Sequence, residues 1–90
     1  MAIEISIPPV LQALAGGAAR IEVDGNTVGA CLEGLIAMYP PLKERLFDRQ
    51  GKLLKGLNIF INGAGAYPGE LARPVRDGDK IHIAYIVLGG

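Results

Sequence analysis

Hydrophobic and polar residues alternate in four stretches of the chain and recur at helical spacing in one. Residues 2–7 put Ile3, Ile5 and Ile7 on one face and Glu4 and Ser6 on the other, the period-two pattern of a half-buried strand. Pro8-Pro9 ends it, and residues 10–17 read as a loop or short helical turn closing at Gly16-Gly17. Ala19, Ile21 and Val23 alternate with Arg20 and Glu22 in a second strand, and Asp24-Gly25-Asn26 turns the chain. Thr27 suits an N-cap. Behind it Val28, Cys31, Leu32, Leu35, Ile36 and Tyr39 form an apolar stripe, which Pro40-Pro41 stops. Residues 42–47 allow a further helical turn, and Gln50-Gly51 sits in a loop.

In the second half, Leu57, Ile59 and Ile61 alternate with Asn58 and Phe60 in a third strand, and Asn62-Gly63 is a hairpin signal. Residues 64–76 carry Pro68, Gly69 and Pro74, leaving room for at most one short strand. Asp77-Gly78-Asp79 reads as a type I turn. The final strand, residues 80–87, places Ile81, Ile83, Tyr85 and Val87 on one face and His82, Ala84 and Ile86 on the other. One main helix can cover one face of a four- or five-stranded mixed sheet, and nothing remains to cover the second. The expectation is therefore an α+β two-layer domain. Parallel pairing of the first and last strands would make it a β-grasp, with the last strand central. The domain is expected over residues 1–87, with residues 88–90 as a flexible tail.

That open second face changes the reading of three residues. Phe60, Ala84 and Ile86 fall on it by alternation, where solvent is expected, and Leu88 follows them towards the tail. An apolar patch on a bare sheet face marks a docking surface. The tail itself ends in Gly89-Gly90. A side-chain-free arm can lie extended, take backbone angles closed to other residues, and enter a channel too narrow for a Cβ. Such an arm suits a carboxylate that must be delivered into another protein's active site.

Composition narrows the alternatives. Ninety residues make one domain with a core of limited size. Nine basic and nine acidic residues give a formal net charge of zero, and without a basic cluster nucleic acid is not an expected partner. No apolar run approaches the ~20 residues that span a bilayer, so no membrane association is expected. The N-terminus lacks a signal-peptide pattern, and the single cysteine permits no intrachain disulfide; both fit a cytoplasmic protein.

Candidate chemistry elsewhere is sparse. Gly63-Ala64-Gly65 and Gly69 lack the helix and the Gly-Lys-Ser/Thr ending of a phosphate loop. Asp77-Gly78-Asp79 lacks the further oxygen ligands of a calcium loop. Cys31 lies on the apolar stripe, where a small buried hydrophobe is expected rather than a nucleophile. His82 has no metal-ligand neighbours at suitable spacing and is expected at the surface. Neither a bound cofactor nor a metal is expected, and the chain does not read as a stand-alone enzyme.

The chain resembles the β-grasp sulfur-carrier family over its whole length. That family includes the small subunit of molybdopterin synthase, the thiamine sulfur carrier and the cysteine-synthesis sulfur carrier. The resemblance rests on Thr27-Val28-Gly29, Tyr39-Pro40, Asn58-Ile59-Phe60-Ile61-Asn62, Asp77-Gly78-Asp79 and Gly89-Gly90. Ser6-Ile7-Pro8, Gly16-Gly17, Glu44-Arg45-Leu46 and Gly51-Lys52-Leu53 look most like the cysteine-synthesis carrier. The resemblance implies that Gly90 is the reactive group. An adenylating (E1-like) enzyme would use ATP to activate its carboxylate, and sulfur would then replace AMP to give a thiocarboxylate for a sulfur-accepting synthase. Gly89 and Leu88 would supply the arm, and Phe60, Ala84 and Ile86 the docking face. Three alternatives stay open: a molybdopterin synthase subunit, a ubiquitin-like modifier joined to lysines through Gly90, and a non-catalytic interaction module. Several family tails place Pro or small residues before the glycines, whereas Tyr85, Ile86, Val87 and Leu88 are bulky.

Overall fold

The structure is a computed structural model, and it describes residues 2–85. In chain order the elements are β1 (Ala2–Ser6), a short helix α1 (Pro9–Gln12), β2 (Arg20–Asp24), the main helix α2 (Val28–Met38), a one-turn helix α3 (Lys43–Leu46), β3 (Leu57–Ile61), the two-residue β4 (Ala64–Gly65) and β5 (Lys80–Tyr85). The sheet order is β2-β1-β5-β3-β4. β1 pairs in parallel with β5, Ile5 opposite Ile81, and the other pairings are antiparallel. β5 therefore lies at the centre of a mixed sheet, the β-grasp arrangement that a parallel first–last pairing requires.

Local chemistry sets the boundaries. The Thr27 hydroxyl accepts a hydrogen bond from the Ala30 amide at 3.1 Å, satisfying one of the free donors at the start of α2. Tyr39 is the C-cap, at an extended φ of −134° ahead of Pro40, which cannot continue the helix. Asn62 and Gly63 sit at φ 51° and 86° between the opposed residues Ile61 and Ala64. Two consecutive positive φ values make the type I′ turn, whose twist suits a hairpin. The turn at residues 76–79 differs from expectation. Its closing bond runs from the Asp79 amide to the Arg76 carbonyl. Gly78 lies at φ 89°, so the turn is of type II, with the glycine taking the left-handed position. Smaller shifts occur at the second strand, which begins at Arg20 and leaves Ala19 exposed outside it. The final strand is described to Tyr85; residues 86 and 87 lie outside the described residues.

One face of the sheet carries the core. Ile3 and Ile5 of β1, Ile21 and Val23 of β2, Leu57 and Ile59 of β3, and Ile81 and Ile83 of β5 are buried with Val28, Cys31, Leu32 and Leu35 of α2. Burying each large aliphatic side chain contributes roughly 1.5–3 kcal/mol. Of the intervening residues, Arg20, Glu22, Lys80 and His82 are exposed, and Glu4, Ser6, Asn58, Phe60 and Ala84 are half-buried. Gly29 brings α2 against the 3₁₀ turn Glu70–Ala72: a Cβ at Gly29 would lie 3.0 Å from the Leu71 carbonyl oxygen.

Candidate functional site

The open face of the sheet is built by register. Across it, one row runs Glu22, Glu4, Lys80, and the next runs Arg20, Ser6, His82, Phe60, Gly65. A third row pairs Ala84 with Asn58. In the first row two carboxylates stand directly opposite each other, a repulsive pairing that Lys80 on the other side of Glu4 offsets. The face thus grades from charged side chains near the start of β5 to the uncharged Phe60, Ala84 and Asn58 further along it.

Phe60 and Ala84 take the places expected of them. Both are half-buried and neither belongs to the core cluster. The Phe60 ring meets exposed His82 edge-on, with centroids 6.3 Å apart and planes at 60°, so the aromatic is braced on the sheet surface instead of being swallowed by the core. Ile86, Leu88, Gly89 and Gly90, the remaining candidate residues, lie outside the described residues.

Strand direction fixes where the chain leaves. β1 and β5 run the same way and β3 runs against them, so Tyr85 stands opposite Leu57, the first residue of β3. Tyr85 therefore stands at the middle of the sheet's end. The segment from Pro8 follows β1 on one flank, and Lys55-Gly56 precedes β3 on the other. On the β3 side a groove of about 790 Å³ opens between residues 52–58 and the 67–72 segment, with Leu53, Leu54, Leu57, Tyr67 and Leu71 in its walls. Tyr67 is 79% exposed.

Two features escaped the sequence reading. The groove joins segments far apart in the chain, and no local pattern announces it. A polar lattice between β5 and its neighbours is equally non-local. The Asn62 side chain donates to Asp79 Oδ1 at 3.0 Å and accepts from the Lys80 amide at 3.0 Å, while the Arg76 amide donates to Asp79 Oδ2 at 2.8 Å. These bonds hold the Asp79 carboxyl below its ordinary pKa, the Arg76 amide contributing most and the Asn62 side chain next. The Asn62-Gly63 turn signal was visible; the second use of Asn62, as a clamp on the start of β5, was not.

The remaining candidates are settled by position. Cys31 is fully buried in the core, and desolvation pushes its thiol pKa up, away from the thiolate form. Among the described residues no cluster of His, Cys, Asp and Glu could hold a metal ion, and no helix is long and apolar enough to cross a membrane.

A mixed sheet with its last strand central, one helix across one face and an apolar-to-charged open face defines the ubiquitin-like β-grasp class. No protein-family model matches the chain, but individual proteins do. The sulfur carrier protein CysO of Mycobacterium tuberculosis is 37% identical over 93 aligned positions, covering 100% of both chains. Small archaeal modifier protein 1 of Haloferax volcanii is 36% identical over 72 positions, 79% of each chain. Among solved structures, that of the Amycolatopsis orientalis BexX/CysO complex superposes with a TM-score of 0.89 at 31% identity, covering 99% of this chain and 100% of that one. The chain belongs to the β-grasp sulfur-carrier family.

Proposed function

We propose that this carrier holds its sulfur as a thiocarboxylate on Gly90 and that the sulfur is destined for cysteine or a related amino acid. The observation that carries the proposal is the central, parallel placement of β5, which sets Tyr85, five residues before Gly90, at the middle of the sheet's end. The resemblance to the CysO proteins over the full length supports the destination.

The chemistry follows from the weakness of a carboxylate as an electrophile. A Gly90 carboxylate oxygen attacks the α-phosphorus of ATP on a separate adenylating enzyme and expels pyrophosphate. The acyl-adenylate so formed is attacked at carbon by a sulfide-equivalent donor, and AMP leaves with the bonding pair. The terminal sulfur is then nucleophilic: it forms a bond to an electrophilic carbon of the substrate held by a sulfur-accepting synthase and displaces that substrate's leaving group. Water then cleaves the Gly90 acyl–sulfur bond, which returns the carboxylate and leaves the sulfur on the product. The carrier contributes no catalytic side chain to these steps. It contributes an arm that fits a narrow channel and a surface, Phe60, Ala84 and Ile86, by which each enzyme recognises it. The expected setting is the cytoplasm, where thiols and ATP are both available.

Intact mass of the protein isolated from its native host tests the proposal. A gain of about 16 Da, sulfur replacing oxygen, is expected and should vanish on alkaline hydrolysis. A second reading, conjugation through Gly90 to lysines of other proteins, is favoured by the likeness to small archaeal modifier protein 1. It predicts ladders of higher-mass adducts instead, and their appearance without the 16 Da species would replace the carrier assignment.

A further inference from the structure

We propose that the groove beside β3 is a receptor for the chain's own last five residues, Ile86 to Gly90, and shelters them between encounters with partner enzymes. From the proposed function this takes only that Gly90 carries the terminal carboxylate; it goes beyond that function in assigning a resting site to the reactive end.

Three observations point to this occupant. The first is proximity. Leu57 lines the groove and is also the register partner of Tyr85, so the chain leaves β5 one strand spacing, about 4.8 Å, from the groove wall. Five residues reach at most about 17 Å, enough to cross the start of β3. The second is apolar matching. The segment reads Ile-Val-Leu before the glycines, and Leu53, Leu54, Leu71 and highly exposed Tyr67 offer apolar surface to it. The bulky residues at 86–88 would otherwise leave apolar area in water, which is unfavourable. The third is charge. Lys52 and Lys55 are exposed in the groove wall and have no ion pair with any other described residue. Glu70 is the one acidic residue lining the groove, in its opposite wall. An apolar segment ending in an anion thus meets an apolar trough bearing two ammonium groups on the side where the segment arrives.

Amide NMR spectra of the full-length protein, without any partner enzyme, test the inference. They are compared with those of a chain lacking Leu88, Gly89 and Gly90. Docking predicts shift changes at Lys55, Gly56 and Leu71, and none at Glu22 on the far strand. It also predicts that Lys52→Glu/Lys55→Glu abolishes those differences and lowers the heteronuclear NOE of the Gly89 amide, while Lys52→Arg/Lys55→Arg preserves both. Changes confined to Tyr85 and its strand neighbours would overturn the inference. So would groove shifts that fade on dilution, which would assign the groove to the tail of a second molecule. Because no activation is measured, either failure leaves the Gly90 chemistry standing.

Discussion

At residue scale, two titratable groups illustrate how position decides chemistry. Cys31 invites a sulfur-transfer role because it is the only thiol in the chain. It lies fully buried in the core, with its pKa raised by desolvation. Cys31→Ala should fold, lose roughly 1 kcal/mol of stability through the small cavity left behind, and still acquire the 16 Da adduct. Loss of the adduct in a folded variant would place the thiol in the mechanism. Asp79 is the opposite case: only half-buried, and bound by two donors that favour its ionised form. A carboxyl with a lowered folded pKa contributes stability that is fully present above its unfolded pKa, about 3.9, and is lost as pH falls through the folded value. Urea titrations of the wild type and Asp79→Asn should therefore differ at pH 7, and the gap should close progressively below about pH 4. A constant gap would mean that the Asp79 charge is irrelevant to the clamp.

At element scale, the period-two patterns of β1, β3 and β5 were legible because one face is buried and the other is not. The same alternation located Phe60 and Ala84 on the open face without any knowledge of the fold. What failed to show were features made by meeting segments. Asn62 was readable as a turn residue, but its bonds to Asp79 and Lys80 depend on β5 lying beside β3. The turn at 76–79 was readable as a turn, but its type depends on the φ of Gly78, which the side chains around it do not report. The open face carries its own prediction. Phe60→Asp should leave the circular dichroism spectrum nearly unchanged, because the ring sits outside the core. It should weaken binding to the adenylating enzyme by about 2 kcal/mol, the cost of losing an aromatic anchor, or roughly thirtyfold. Undiminished affinity would remove this face from recognition.

For the whole molecule, the division of labour runs between the two faces of one sheet. The core face accounts for folding, and the proposed function gives the open face to partners, so mutations should separate cleanly into those that unfold the protein and those that silence it. The proposed function puts the Gly90 carboxylate in the second class. Adding a single alanine after Gly90 should leave thermal unfolding unchanged and abolish formation of the acyl-adenylate, measured as pyrophosphate release with the cognate enzyme. Normal turnover of the extended chain would show that activation occurs elsewhere. The Gly89-Gly90 pair was visible in the sequence from the outset, and its platform could be inferred from the order of strands. The groove could not, because residues 52–58 and 67–72 meet only once β3 and the segment after β4 are in place.

The central position of β5 also governs the order in which the molecule comes into being. It is the last described strand to be synthesised, yet it is inserted between β1 and β3. Until Lys80–Tyr85 emerge, no strand joins the β1–β2 pair to the β3–β4 pair, and β1 and β3 each lack their inner partner. Pairings of such long sequence separation form late, and here they cannot form at all before translation has nearly reached Gly90. A chain truncated before β5 therefore presents no continuous sheet face. Under the proposed function, activation would thereby be confined to folded chains, with the middle strand serving as the quality check.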